Sequence, residues 1–299
     1  MPRVALADSV MAIFPLDKRH PSGGAKTERE LIQEAFATGE KAAAEATRVF
    51  GDCNELECEK TALPYLLWKK KTYAARTFED PHGEAKLDVK GLALVRRDCT
   101  DWVASTMRCA LNALIMRRSV EEARAIVNTQ LHRLVNDEVT LQELTLSRRI
   151  SGSYKSENLP QVKVVKKMEA RNPGSGPKSG DRVAFCIIET EDPNHKVFQK
   201  AEDVAFVADP ANGVKIDRLH YLTNEITNPL VQLFSPFVEN PQQEILEGAR
   251  LELERQRMGH ATLVEFEWEK YAPARAMGAT AGDLCIPSAK KKRKQTLLF

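Results

Sequence analysis

The hydrophobic periodicity of the chain changes twice in its first 120 residues, and this limits the folds that it can adopt. Residues 27–50 carry apolar side chains at helical spacing, and Thr27 and Glu30 have the spacing of a capping box. Residues 55–98 contain strand-like stretches instead, and from Thr100 onward the helical pattern returns. We therefore expect an α+β fold, in which a small sheet with a helix precedes a mostly helical region with a few strands.

Further local signals place elements along the rest of the chain. Ser119 and Glu122 repeat the capping-box spacing, and Pro160 suits the first turn of another helix. The sequence also predicts a strand in DRVAFCIIE and two later helices, at 219–238 and 242–258. For the first helix we expect one buried face made of Leu31, Ala35, Thr38, Ala42, Ala46 and Val49.

Composition and length exclude several classes of protein. The 299 residues suffice for two domains. The sequence contains no apolar run of roughly 18 residues, so we expect no transmembrane helix. The N-terminus lacks a secretory pattern, and we expect no contact with a membrane. None of the six cysteines forms a CxxC pair, so we expect reduced cysteines in an intracellular protein and no zinc site.

Positive charge is concentrated in short clusters, although the formal net charge is only +2. Clustered cations on a nearly neutral chain favour a localised face that binds a polyanion. Each cluster taken alone is more typical of solvated surface, and it is the presence of five clusters that favours a binding face. The five clusters are Lys69 to Lys71, Arg96 with Arg97, Arg148 with Arg149, Lys163 with Lys166 and Lys167, and KKKRK at 290–294.

Four stretches together resemble the C-terminal part of family B DNA polymerases, particularly the delta-type replicative branch. PYLLWKKKTYAA at 64–75 is similar to the motif of two lysines before a tyrosine. LDVKGLALVRRD at 87–98 is similar to the motif that ends in valine-arginine-arginine-aspartate. RNPGSGPKSGDRVAFCI at 171–187 is similar to the thumb loop and its following strand, and residues 220–239 to the helix that ends the thumb.

The resemblance implies a domain organisation and a role. Residues 1–98 would be the C-terminal part of the polymerase palm, 99–239 the DNA-binding thumb, and 240–299 a terminal helix with a flexible basic tail. In the family this portion grips the primer–template duplex behind the active site. Lysine and arginine suit that task because they neutralise phosphates and release counterions, without reading the base sequence.

Individual residues acquire expected roles from the same motifs. Asp98 would orient an arginine, or it would form a salt bridge that joins palm to thumb; both readings stay open. Thr72 stands where the family usually has an arginine. In the thumb loop, Gly180, Asp181 and Arg182 are expected to have a structural role. The residues expected to contact DNA are Lys70, Lys71, Tyr73, Lys90, Gly91, Arg96 and Arg97.

Polymerisation requires two metal ions, and the sequence gives one candidate ligand. ADSVM matches the end of the family's aspartate-threonine-aspartate-serine motif, so Asp8 stands at its second aspartate. Leu6 stands at the first aspartate and cannot bind a metal. The resemblance implies Mg²⁺ in the complete polymerase and none for this chain alone, with Asp8 catalytic only if an upstream motif completes the site.

The match lacks the fingers, the exonuclease and the other metal motif of the family. Three explanations stay open: a mistaken start of the gene, a split gene whose partner chain carries those motifs, or a remnant without catalysis. Each implies that the isolated chain does not extend a primer. The alternatives to a polymerase portion are a noncatalytic protein that binds DNA and a sliding clamp, and a scaffold whose basic clusters form salt bridges.

The last ten residues, KKKRKQTLLF, carry two further signals. KKKRK has the charge density of a nuclear localisation signal or of a nonspecific contact to nucleic acid. The terminal QTLLF resembles a peptide that binds a sliding clamp. Gln295 would bind a polar pocket of the clamp, and Leu298 and Phe299 would bind an apolar pocket. A nucleus or a viral replication site is the expected location.

Overall fold

The computed structural model describes residues 10–21, 23–50, 55–92, 99–154, 156–192 and 194–259. The described residues divide into two compact units, one ending at Lys90 and the other beginning at Gly91. The sequence analysis placed a domain boundary after residue 98. Residues 93–98 lie outside the described residues, so that boundary stays a prediction.

The first unit consists of a helix and a three-stranded antiparallel sheet. Helix α1 spans Glu28–Phe50 and precedes strands β1, Thr61–Lys69, β2, Thr72–Phe78, and β3, Lys86–Lys90. The strands pair in the order β1-β2-β3, with β2 in the centre. The helix and the small sheet that the sequence predicted are therefore both confirmed.

The N-terminus of α1 is held by the predicted capping box. The Thr27 backbone N–H donates to Glu30 Oε2 at 2.7 Å, and the Glu30 N–H donates to Thr27 Oγ1 at 3.3 Å. The predicted buried face of α1 is wrong. The side chains that pack against Phe78 of β2 are Ile32 and Phe36, and Val49 is 80% exposed.

The second unit is mostly helical, with one small sheet. Two long helices, α2 at Asp101–Ile115 and α3 at Val120–Val135, pack on each other and supply much of its core. The remaining elements are, in chain order, β4 Leu146–Arg149, α4 Pro160–Arg171, β5 Arg182–Ile187, α5 Val197–Lys200, β6 Ala201–Asp203, α6 Val204–Ala208, α7 Arg218–His220, α8 Thr227–Phe234 and α9 Glu247–Arg257.

Several predicted features of this unit are confirmed. Ser119 Oγ accepts from the Glu122 N–H at 3.1 Å, Pro160 begins α4, and β5 falls within DRVAFCIIE. The sheet has the order β4-β5-β6 and is antiparallel. The two predicted late helices contain π-helical turns, at Tyr221–Ile226 and Gln242–Leu246. The α+β fold class is confirmed.

No helix in the described part of the chain is long and apolar enough to cross a membrane.

Candidate nucleic-acid interface

The first candidate feature is the turn that joins β1 to β2. Lys70 and Lys71 form this turn, which is closed by the pairing of Lys69 with Thr72. Lys71 has φ of 64°, a left-handed conformation that non-glycine residues adopt mainly in tight turns. The side chains of Lys69, Lys70 and Lys71 are exposed, and no carboxylate of the described residues forms an ion pair with them. Their charge is therefore available to an external anion.

Tyr73 and Lys90 lie directly opposite each other on β2 and β3. The Tyr73 ring is 3% exposed and stacks on Tyr65, with 5.2 Å between the ring centroids. Lys90 Nζ lies 5.6 Å from the centroid of the Tyr73 ring, within the range of a cation–π interaction. Lys90 itself is exposed, so the tyrosine packs against the stem of the lysine while its ammonium group meets solvent.

The phenol of Tyr73 is a weak acid in this setting. Burial, followed by the negative charge of Asp88, raises the pKa of Tyr73 to about 12. Asp88 is itself paired, because Lys60 Nζ lies 2.5 Å from Asp88 Oδ2. Lys60 thus compensates the one carboxylate of β3, and Lys90 keeps its positive charge without a carboxylate partner among the described residues.

Gly91 directly follows β3 and has φ of 72°. A residue with a side chain is strained at such a φ, so a glycine suits the position. The structure therefore brings Lys70, Lys71, Tyr73 and Lys90 onto the hairpin and its neighbouring strand. The other predicted DNA contacts, Arg96 and Arg97, and also Asp98, lie outside the described residues.

The loop predicted to be structural leads into β5. Gly180 has φ of 100°, and its N–H donates to the Ile150 carbonyl oxygen at 2.9 Å. Asp181 accepts from the Lys178 N–H through Oδ2 at 3.0 Å. Arg182 donates from Nε to Ser147 Oγ at 2.9 Å. Each of the three residues thus has an identified contact within the loop or to β4.

The basic cluster on α4 is not a free cationic face. Lys167 Nζ lies 3.1 Å from Glu202 Oε2, and Lys166 Nζ lies 2.5 Å from Glu157 Oε2. Lys163 lies over the ring of Phe198, 5.9 Å from its centroid. Sequence clustering alone therefore overstated the positive surface here, because it does not reveal which acids fold back onto the lysines.

Metal binding cannot be assigned to the described residues. They contain no group of three His, Cys, Asp or Glu side chains that could hold a metal ion together. Asp8 lies outside them, as do the predicted clamp-binding residues Gln295, Leu298 and Phe299.

The sequence analysis did not identify two residues of this region. Tyr65 supports the Tyr73 ring, and Lys60 neutralises Asp88. The alternation of side chains along β1 could have identified Tyr65, because side chains two residues apart lie on the same face of a strand. No comparable signal exists for Lys60, since its partner is 28 residues away along the chain.

The chain is similar in sequence to known proteins over most of its length. The sequence model of DNA polymerase family B matches residues 25–237. A DNA polymerase of Paramecium bursaria Chlorella virus NY2A is 34% identical over 72% of this chain and 23% of its own length. The DNA polymerase delta catalytic subunit of Caenorhabditis elegans is 32% identical over 73% of this chain and 20% of its own length.

Among solved structures, the chain is similar to the family B DNA polymerase of the archaeon Pyrobaculum calidifontis, with a TM-score of 0.48 and 18% identity. That similarity covers 64% of this chain and 24% of the other. The chain spans about a fifth of the length of the curated relatives named above. On the strength of the match over residues 25–237, the chain belongs to DNA polymerase family B.

Proposed function

We propose that this chain comprises the C-terminal part of the palm and the thumb of a DNA-directed DNA polymerase, and that it grips the primer–template duplex during DNA replication. The observation that carries the proposal is the β1–β2 turn, where Lys70 and Lys71 are exposed and lack a carboxylate partner among the described residues. Membership of family B supports the same role.

The chemistry of the hairpin suits a phosphate backbone. Each lysine that meets a phosphate releases condensed counterions, so affinity arises without base-specific contacts. Tyr73, held by Tyr65 and Lys90, keeps the hairpin in one arrangement and presents Lys90 beside it. We propose Lys70, Lys71 and Lys90 as DNA-contacting residues of the described part. In this proposal Tyr73 acts through the lysines that it supports, and Gly91 allows the chain to turn after β3.

The remaining elements of a polymerase are proposals about a larger assembly. The relatives are about five times longer than the matched segment, and nucleotidyl transfer would require Mg²⁺ and the fingers and palm motifs, on this or a partner chain. The same partner chain could carry the exonuclease. We propose that the 299 residues alone bind duplex DNA but do not extend a primer. A nucleus or a viral replication site is the proposed location.

A second candidate function rests on QTLLF at residues 295–299. In this alternative the chain is a noncatalytic, polymerase-derived protein that binds DNA and a sliding clamp. Gln295, Leu298 and Phe299 would enter the clamp. Loss of clamp binding on replacing Leu298 and Phe299 by alanine, with duplex binding unchanged, is the expected result; unchanged clamp binding would exclude the contact.

The test of the main proposal is the salt dependence of duplex binding. Fluorescence anisotropy would compare the wild type with a Lys70→Ala, Lys71→Ala double variant on two duplexes of unrelated sequence. Because each phosphate contact contributes about 0.9 to the slope of log affinity against log salt, the slope should decrease by about 1.8 on both duplexes.

The matched control removes two exposed lysines of the same unit elsewhere, Lys41 on α1 and Lys86 at the start of β3. This control variant should keep the wild-type slope. The proposal fails if the wild type shows no salt-dependent duplex binding, or if the Lys70, Lys71 variant keeps the slope of the wild type.

A further inference from the structure

The second unit contains a cavity of about 580 Å³, to which the proposed function assigns no role. Its apolar wall includes Leu141 from the loop after α3, Val214 and Ile216 from the segment before α7, and Leu253 from α9. Leu253 is 3% exposed, whereas the other three are half-buried and thus reachable from the cavity. A volume of this size is typical of sites that enclose a ligand or several side chains.

One wall of the cavity offers a strand edge. The Glu189 N–H donates to the Lys215 carbonyl oxygen at 2.8 Å, and Ile216 forms an isolated antiparallel bridge with Ile188. Because backbone groups alternate in direction along a strand, the N–H groups of Val214 and Ile216 point to the opposite edge. No strand in the described part of the chain pairs with that edge. An unpaired edge is a template for a further strand.

Positive charge prevails around this edge. Lys215 and Arg257 line the cavity, are exposed, and form no ion pair with a carboxylate of the described residues. Two carboxylates, Asp137 and Glu189, also line the cavity. Arg218 Nε lies 3.7 Å from Asp137 Oδ1 and offsets that charge. The cavity therefore suits an occupant that is apolar on one side and acidic on the other.

The end of α9 directs the following chain to this cavity. Gly259 lines the cavity, has φ of 80°, and donates its N–H to the Gln256 carbonyl oxygen at 3.0 Å. A glycine in this conformation ends a helix and turns the chain away from the helix axis. Residues beyond 259 lie outside the described residues, so their part in the site is inferred from the sequence alone.

The sequence shortly after Gly259 has the pattern that the cavity requires. Residues 264–268 read VEFEW and alternate three apolar residues with two acids. In an extended strand the apolar side chains would share one face and the acids the other. Valine, phenylalanine and tryptophan also favour strands. Four residues separate this segment from Gly259, which allows a reach of about 13 Å.

We propose that residues 264–268 bind in this cavity as an added strand along the edge formed by Val214 and Ile216. Phe266 and Trp268 then lie on the same face as those two residues and enter the apolar part of the cavity. Glu265 and Glu267 lie on the other face, beside Lys215, where opposite charges across a strand pair stabilise the pairing. The inference goes beyond the proposed function and does not depend on DNA binding.

The short connection makes such binding feasible with a small contact. A segment tethered four residues from its site has an effective concentration on the order of 1 mM, so weak intrinsic affinity suffices. The consequence of docking is positional. Residues 270–299, which include the basic KKKRK run, would then leave the second unit from one fixed place instead of from the end of α9.

The first test places a photoreactive phenylalanine analogue at Phe266 of the full chain, with the same analogue at Ala279 as the control. Irradiation followed by mass spectrometry should join position 266 to the cavity, at Val214 to Leu219 or Leu253 to Arg257, and should not do so for position 279. Crosslinks from position 266 to other regions would overturn the proposal. A dimeric product would also overturn it, because a second copy would then supply the segment.

The second test concerns the charge pairing. Lys215→Glu should lower the yield of the cavity crosslink by about threefold, because an opposite-charge pair becomes a like-charge pair. Adding Glu265→Lys and Glu267→Lys to that variant should restore the yield. Lys178→Glu, which changes an exposed lysine that does not line the cavity, is the control and should have no effect. An unchanged yield for Lys215→Glu, or no recovery in the triple variant, would overturn the proposed pairing.

A third measurement uses no crosslinker. Amide hydrogen exchange would compare the wild type with a Phe266→Ser, Trp268→Ser variant, whose changes lie outside the described core. The Val214 and Ile216 amides should exchange about tenfold faster in the variant, because their edge loses its partner strand. Leu298→Ser with Phe299→Ser should leave both amides unchanged. Equal exchange in all three chains would overturn the proposal.

Discussion

Lys90 Nζ lies 5.6 Å from the centre of the Tyr73 ring, and the two residues are paired across β2 and β3. This relationship links a buried aromatic ring to an exposed cation. The ring fixes the direction of the lysine stem, and the lysine covers one face of the ring. The sequence of two lysines, Lys70 and Lys71, followed by Tyr73 therefore has a physical explanation: the buried tyrosine supports the charged surface.

The ionisation of Tyr73 gives a prediction about alkaline stability. The pKa of Tyr73 is raised to about 12 in the folded chain, against about 10 for an unperturbed tyrosine. The folded state therefore holds the phenolic proton more tightly than the unfolded state. The resulting stabilisation is fully present below about pH 10 and is lost as the pH rises toward 12.

Denaturant unfolding of the wild type and Tyr73→Phe across this pH range would measure that stabilisation. The free energy of unfolding of the wild type should fall more steeply with pH than that of the variant. The difference between the two chains removes the contribution of Cys186, whose pKa is also raised to about 12. Parallel curves for the two chains would contradict the assignment.

The capping box of α1 gives a prediction about stability at neutral pH. Replacing Thr27 by alanine removes the hydroxyl that accepts from the Glu30 N–H. Loss of such a cap should cost about 1 kcal/mol of unfolding free energy. Thr38→Ala is a suitable control, because the Thr38 hydroxyl donates to the carbonyl oxygen of Glu34 within the helix and does not cap a helix end. An equal effect of both changes on urea unfolding would exclude the cap as the cause.

The carboxylate of Glu202 gives a prediction about acid sensitivity. Burial raises its pKa, but the hydrogen bonds from Arg171 and the Asp203 N–H, together with the charge of Lys167, outweigh burial and lower it overall. Arg171 Nη1 lies 2.9 Å from Glu202 Oε1. With its pKa lowered, the carboxylate stabilises the fold above about pH 4.5, and this stabilisation is lost as the pH falls through the folded pKa.

Glu202→Gln should therefore lower the free energy of unfolding at pH 7 by about 2 kcal/mol. That is less than the roughly 3–5 kcal/mol of a fully buried pair, because Lys167 and Arg171 remain partly exposed. The matched control is Glu157→Gln, which breaks the exposed pair with Lys166 and should change stability little. A deficit of Glu202→Gln that persists undiminished at pH 3 would contradict the charge-based explanation.

The sequence was informative wherever a local signal determined the structure. Thr27, Ser119 and Pro160 marked helix starts because caps and proline act within one turn. The buried face of α1 was misassigned, since its alanines spread apolar character around the helix and only packing against Phe78 selects Ile32 and Phe36. Short elements such as β6, with three residues, carry too little periodicity to be found.

In the candidate site, too, some residues could be predicted from the sequence and some contacts could not. Lys70, Lys71 and Tyr73 could be predicted because they are consecutive or nearly so in the sequence. The pairing of Tyr73 with Lys90 could not, because it depends on the register of strands β2 and β3. The α4 lysines were misjudged for the same reason, since Glu202 reaches Lys167 from a distant strand.

The most direct test of the claim that the β1–β2 hairpin grips DNA is a site-specific crosslink between this hairpin and a duplex. Leu67, on β1, is 59% exposed, so a photoreactive phenylalanine analogue can replace it without removing a lysine. Val49, at the end of α1, is 80% exposed and provides the matched control position. We predict that irradiation with a labelled primer–template duplex crosslinks DNA to position 67 and not to position 49. Crosslinking at position 49 alone, or equal crosslinking at both, would contradict the claim that the hairpin grips DNA.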